Sequence, residues 1–300
     1  MGQHNLRDSK GRQYKLPGDE REMDRLALQH RMWRLLVDGL CPSELASKVD
    51  ALLAARSSAP AVLDVGCGSG IWAIEMAETY PHVRVIGMDI APIINLPFPP
   101  NFQFTQMDLT VGLPEIDGGY DIVHARCVTG HLQEPAALVR LAYDVLKPGG
   151  LLILGEAYKS TGADKTELPP LLPQEHYPED VLKAGSWYAG WQKMYFEICY
   201  DNYQTVESLI REHGGFSLIH HKRYFAPVNW SGDGLDHGEE LGRISNTNTL
   251  AFCRAVAPAF LKSAEFSATE LEEWIDSIEQ EFQTKHIYMP WDLASGVKLI

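Results

Sequence analysis

Apolar positions along the chain follow two periods. Between Asp19 and Leu40, Met23, Leu26, His30, Trp33, Val37 and Leu40 recur at spacings of three and four, the stripe of an amphipathic helix. A second helix is expected over 43–55, entered through Pro42 and Ser43. From residue 61 the pattern shortens. AVLDV (61–65), VRVIGMD (83–89), FQFTQMD (102–108), YDIVHARC (120–127) and GLLILGE (150–156) read as strands. Helical stretches separate them at 71–79, at about 91–96, where prolines weaken the pattern, and at 135–146. Strand and helix alternating at this spacing predict an α/β fold with a doubly wound, mostly parallel sheet.

Beyond Glu156 the pattern changes. The segment 157–203 is rich in proline and aromatic residues, with Trp187, Tyr188, Trp191, Tyr195 and Tyr200 closely spaced. A helix over 204–213 stops at Gly214–Gly215, and FSLIHHKRYF (216–225) reads as a sixth strand. A Gly/Asp loop (226–240) leads into helices at about 238–262 and 267–283, the second opened by a capping box of Ser267 and Glu270. The expected divisions are an N-terminal arm with lid helices (1–56), a core (57–225) carrying the aromatic insertion, and a C-terminal loop and helical cap (226–300).

Composition narrows the possible functions. The chain has 300 residues, 45% of them hydrophobic and 22% charged, with a formal net charge of −14. That charge argues against nonspecific binding to nucleic acid or to an anionic membrane, both of which rely on basic surface. No apolar run approaches the roughly 20 residues that span a bilayer. MGQHNLRDSK lacks the apolar region of a secretory signal, and Leu6 stands where a myristoylation motif has Ser or Thr. The five cysteines are scattered without a CxxC pair, so reduced thiols in a cytoplasmic or nuclear protein are expected, with no metal site. His220 and His221 are adjacent, and on a strand they face opposite sides.

The candidate chemistry lies at the ends of the expected strands. Gly66, Gly68 and Gly70 let the backbone turn tightly and approach a ligand, while the helix that follows offers free N–H donors. Their spacing is G-x-G-x-G, whereas the dinucleotide fingerprint is G-x-G-x-x-G. Asp64 is placed to orient this loop or to meet a ligand amine. Asp89 ends the second strand, where a carboxylate accepts from ribose hydroxyls. Asp108 ends the third, positioned to accept from an adenine amine with Met107 against the ring. Each acid alone reads equally as a helix cap. Three of them ending three successive strands point to a ligand.

In this order, DVGCGSG, GMD and QMD resemble motifs I, II and III of class I S-adenosylmethionine (SAM)-dependent methyltransferases. The segment from Tyr120 to His131, followed by LKPGGLLILGE, resembles their fourth and fifth motifs. YKLPGDEREMDRLALQHRMWRLL (14–36), GIWAIEMAETYPHVRVIGMDIAPI (70–93) and YDIVHARCV are similar to the fungal LaeA-like methyltransferases. The resemblance implies a Rossmann-like fold with SAM as cofactor and S-adenosylhomocysteine (SAH) as product. It implies Gly66, Cys67, Gly68 and Gly70 around the methionine part, with Asp64 nearby. It places Asp89 at the ribose, Ile90 beside the adenine, Asp108 at the adenine amine, and His124 and Arg126 at the methionine end. A segment folding over the cofactor makes Tyr14 and His30 lid residues, the latter otherwise a packed core histidine. Cys67 stands where relatives often have Thr.

A sulfonium methyl is already activated, so alignment of a nucleophile is the main requirement. A base is needed only where the acceptor loses a proton. His131 is the foremost candidate, followed by His220, His221 and Glu156. Trp187, Tyr188, Trp191 and Tyr195 are candidates for the acceptor site, or for ordinary cap core; Asn246, Thr247 and Asn248 are candidates for polar contacts. The function expected is methyl transfer to an oxygen or nitrogen of a small molecule, a fungal secondary metabolite. The alternatives are a nuclear regulator acting through protein partners and, against the glycine spacing and Asp108, an NAD-dependent dehydrogenase.

Overall fold

The first helix, α1 (Glu20–Val37), begins where the Asp19 carboxylate accepts the Glu22 amide, and it stops at Asp38, whose φ of 54° is left-handed. Met32, Trp33 and Val37 are buried, but Met23 and Leu26 of the same stripe are only half-buried. The next helix, α2 (Ser43–Leu53), packs Leu45, Val49 and Leu53 into the same core. The computed structural model describes residue 16 and residues 19–54, 59–93, 97–159, 187–200, 202–263 and 266–300. Tyr14, residues 94–96 of the weak expected helix, and most of the aromatic insertion lie outside them; residues 91–93 are not helical.

The elements that follow are β1 (Ala61–Val65), α3 (Ile71–Thr79), β2 (Arg84–Asp89), β3 (Phe102–Gln106), β4 (Tyr120–Arg126), α4 (Pro135–Val145) and β5 (Leu146–Ala157). Then come α5 (Trp187–Cys199), α6 (Val206–His213), β6 (Phe216–Val228), α7 (Gly238–Ser263), α8 (Ala268–Thr284) and β7 (Ile287–Lys298). One sheet results, in the order β3-β2-β1-β4-β5-β7-β6. The first five strands are parallel, and β7 runs antiparallel to both β5 and β6. All five residues of β1 are buried, as expected of a parallel strand covered on both faces. Val62 enters a core shared with α1, α2, α3 and the cap helices, while Leu63 and Val65 enter a second core with α4 and α6. Connections leave β1 and β4 toward opposite edges, so the crevice at their carboxyl ends is the switch point where such sheets bind ligands.

β7 has no counterpart in the sequence reading, which places only loop and helix beyond 226. Its sequence, IYMPWDLASGVK, interrupts the apolar run with Pro290, Asp292, Ser295 and Gly296. Asp292 and Gly296 are accommodated by tertiary partners. Asp292, 1% exposed, accepts from Arg223 Nε at 2.7 Å and Nη2 at 3.3 Å. Gly296 leaves room for α6 and β6: a Cβ there would lie 2.8 Å from Ile210 Cγ2.

Candidate active site

The glycine loop leaves β1 with Gly66 at φ 64° and Gly68 at φ 54°, conformations that cost a residue with a Cβ. A Cβ on Gly66 would also lie 2.4 Å from Val128 Cγ2. The Cys67 amide donates to the Met88 carbonyl at 2.9 Å, which ties the loop to β2. Asp89 completes the tie. Its Oδ2 accepts the Gly68 N–H at 2.8 Å and its Oδ1 the Ala91 N–H at 2.9 Å. Burial raises the Asp89 pKa, against the lowering effect of these backbone bonds. Loop and acid are therefore one preassembled unit.

Asp108 accepts the Thr110 N–H at 2.8 Å and its hydroxyl at 2.7 Å, capping the short turn Leu109–Val111. It also lines the crevice, so capping leaves it accessible to a ligand. Gln106 Nε2 donates to the Ile90 carbonyl at 3.0 Å and joins the ends of β2 and β3.

These groups open onto a cavity of about 290 Å³. One end is formed by Gly66, Gly68, Asp89, Ile90, Met107 and Asp108, with Leu16, Met23 and Leu26 from the N-terminal side. This is why Met23 and Leu26 are half-buried: they face the cavity. Arg126 and His131 also line it. Tyr188, Trp191 and Tyr195 of α5 form an aromatic wall together with Phe252 of α7 and Trp291 of β7. Among the described residues, four lining carboxylates, Glu22, Asp89, Asp108 and Glu156, outnumber two guanidiniums, Arg25 and Arg126. That balance suits a cationic ligand.

Several expected residues stand behind the wall. Asp64 Oδ1 is 2.7 Å from His124 Nδ1, both groups are buried, and the imidazole stacks on Trp72 at 3.7 Å. Burial lowers the His124 pKa despite Asp64, so the pair braces β1 against β4 with a neutral ring. Burial pushes the Cys67 thiol well up, and its Sγ packs toward Gly87. Gly70 (φ 77°) caps α3 against Ile93. His30 Nδ1 accepts from Arg126 at 3.0 Å while Nε2 lies 3.2 Å from Glu75 Oε2; burial lowers its pKa too. It acts on the cavity through Arg126. Trp187 is 53% exposed, its carbonyl accepting from Trp274, because α5 turns this residue away from the aromatic wall. His220 and His221 lie on β6 beside Glu44 and Asp292, outside the cavity. Of the three polar residues expected on the lid helix, Asn248 reaches it.

Other lining groups escaped the sequence reading. Arg25, 4% exposed, donates through Nε and Nη2 to Glu22 at 2.9 and 2.6 Å, and through Nη1 to Asn248 at 3.1 Å. The opposite charges at i and i+3 were the available signal. Phe252 and Trp291 carried none, whereas Tyr200 belongs to the aromatic segment singled out in the sequence. Glu156 is heavily bonded. It accepts the Thr129 hydroxyl at 2.7 Å, the Gly130 N–H at 3.2 Å, the Ala157 N–H at 3.0 Å and the Tyr200 hydroxyl at 3.4 Å. Among the described residues no group of three His, Cys, Asp or Glu side chains could hold a metal ion.

Strand order, glycine loop and the acids ending β2 and β3 define the Rossmann-like class I methyltransferase fold. A family model described as a methyltransferase domain matches residues 38–221, and the chain belongs to that family. The chain is 26% identical over 259 residues to "Secondary metabolism regulator laeA" of Coprinopsis cinerea, covering 83% of this chain and 61% of that protein. It is 30% identical over 245 residues to "Secondary metabolism regulator LAE1" of Cochliobolus heterostrophus, covering 78% and 71%. With "Methyltransferase pytC" of Aspergillus terreus it shares 33% over 159 residues, covering 52% of this chain and 46% of that protein. The chain thus spans about half to two-thirds of the length of two of these relatives.

Proposed function

We propose that this chain is a SAM-dependent methyltransferase that moves the methyl group to an oxygen or nitrogen of a small molecule of fungal secondary metabolism. One observation carries the reading. The Gly68–Asp89 unit and the aromatic wall of α5 line the same cavity, so a nucleoside end and an acceptor end are continuous. Asp89, Ile90, Met107 and Asp108 would hold the adenosine, and Gly66, Gly68 and Arg126 the methionine part. SAM, when bound, supplies a sulfonium methyl already activated toward a nucleophile. The lining carboxylates favour that cation, the α1 side chains cover it, and the aromatic wall orients the acceptor and excludes water. His131 lines the same cavity as a candidate base.

Calorimetric titration of the folded chain with SAH tests the reading; absence of binding overturns it. The names of the laeA and LAE1 relatives support a second reading, a regulator of secondary metabolism; acting in the nucleus through protein partners is the form this reading would take. Partner association that persists in an Asp89→Ala, Asp108→Ala variant would favour it. No helix among the described residues is long and apolar enough to cross a membrane. The enzyme reading places the chain in the cytoplasm, with a small-molecule acceptor and neither nucleic acid nor membrane as partner.

A further inference from the structure

We propose that Glu156 is the proton acceptor of the transfer step and that the acceptor molecule is a flat, uncharged ring presenting a phenolic or enolic hydroxyl. The inference rests on the methyltransferase reading and specifies its acceptor end.

Glu156 ends β5, is 3% exposed and lines the cavity that holds Tyr188, Trp191, Tyr195, Phe252 and Trp291. Its four donors come from three places: the turn after β4 (Thr129, Gly130), the backbone of Ala157, and Tyr200 just past α5. The Tyr200 ring fits so closely over Gly130 that a Cβ there would lie 2.1 Å from Tyr200 Cζ. The carboxylate is thus fixed in place beneath the aromatic wall. Burial raises its pKa above the ordinary carboxylate range, against the lowering effect of these bonds, which strengthens it as a base. The titratable groups facing it are the Cys127 thiol, pushed up to about 12, and the Tyr200 and Tyr203 hydroxyls, both pushed up. All three stay protonated at neutral pH. His131, by contrast, is only half-buried.

Chemistry then selects the acceptor. In the step, an oxygen lone pair forms the O–CH3 bond and the C–S bond breaks, its electron pair going to sulfur to give the neutral thioether of SAH. The hydroxyl proton passes to the Glu156 carboxylate and later to water. A neutral amine can attack before losing a proton, but a methylated hydroxyl must lose its own, so a built-in base marks a hydroxyl acceptor. A carboxylate is matched to a phenol, with a pKa of about 10, far better than to an alkanol, near water at about 15.7. An anionic acceptor is disfavoured because lining carboxylates outnumber guanidiniums and Glu22 already grips Arg25 through both oxygens. Aromatic walls suit a flat ring.

The test uses the full chain, methyl-labelled SAM and four matched probes: 2-naphthol, its saturated decahydro analogue, 2-naphthylamine and 2-naphthoate. The expected result is label transfer to 2-naphthol and little or none to the other three. Glu156→Gln should bind SAH as the wild type does, keep its KM for 2-naphthol, and lose about 100-fold or more in kcat. Should that variant fold poorly, Thr129→Val serves instead. Removing a donor to the carboxylate should shift the acidic limb of the kcat profile to higher pH. Equal transfer to the amine, the naphthoate or the saturated alcohol overturns the proposal. So does full turnover by Glu156→Gln, or no transfer to any probe by protein that binds SAH. Failure of the wild type to bind SAH overturns the underlying methyltransferase reading as well.

Discussion

Replacing Asp89 with Asn tests the idea that the glycine loop and the acid proposed to hold the ribose are one unit. The amide keeps the side chain's size but turns one acceptor oxygen into an NH2 donor. The Gly68 and Ala91 N–H groups arrive on different oxygens, so either amide orientation sets a donor against a donor. One hydrogen bond to a charged group contributes about 1.5–3 kcal/mol. In the free protein the neutral amide escapes the burial that raises the Asp89 pKa, which offsets part of the loss. The stability cost should therefore be small, about 1 kcal/mol by urea unfolding. In the complex there is a further loss, because the ribose hydroxyls that Asp89 is proposed to bind would need both oxygens as acceptors. A loss of roughly 2 kcal/mol there weakens SAH binding about 30-fold, read by calorimetry. An unchanged dissociation constant in a folded Asp89→Asn protein would refute the reasoning.

Three further outcomes are expected. Gly66→Ala, at φ 64° and with Val128 Cγ2 2.4 Å from the new Cβ, should cost about 2–4 kcal/mol in urea unfolding from conformational strain and overpacking; a cost below about 1 kcal/mol would show that the loop relaxes freely. Arg25→Leu leaves Glu22 buried without its ion-pair partner and should cost about 3–5 kcal/mol, with most of the loss recovered in Glu22→Leu, Arg25→Leu; an equally unstable double variant would contradict this. His30 and His124 are held below the ordinary histidine range by burial, so the unfolded chain takes up protons first. Their contribution is full above about pH 6.5 and is lost as pH falls below it, while His221, raised by its bond to Asp292, acts in the opposite sense on a half-buried ring. The urea midpoint should fall between about pH 7 and pH 5.5, and a flat profile there would count against the assignment.

The parallel half of the fold was legible because its signals are local. AVLDV and the glycines are consecutive and Asp89 follows one helix later, so their spacing carries strand, turn and crevice together. β7 was not legible, since Asp292 is tolerable in a buried strand through Arg223 and His221, 69 and 71 residues earlier. The same holds for the site. Asp89 and Asp108 could be placed from strand ends alone. Asp64 and His124 could not be told from ligand-facing groups until the sheet paired them across 60 residues. The aromatic wall was recognised as a segment, but its orientation, with Trp187 outward and Trp191 inward, depends on α7 and β7 closing over it.

The place of β7 in the sheet also bears on how the molecule is made. During synthesis β1 to β5 emerge in order and can pair as they appear. β6 cannot, because the strand that joins it to β5 comes 59 residues after its own last residue (from Val228 to Ile287). Until then the hydrogen-bonding edge of β5 is open on a nascent chain, and Trp291 is missing from the pocket wall. The sheet and the aromatic wall are thus completed together, only once β7 has emerged.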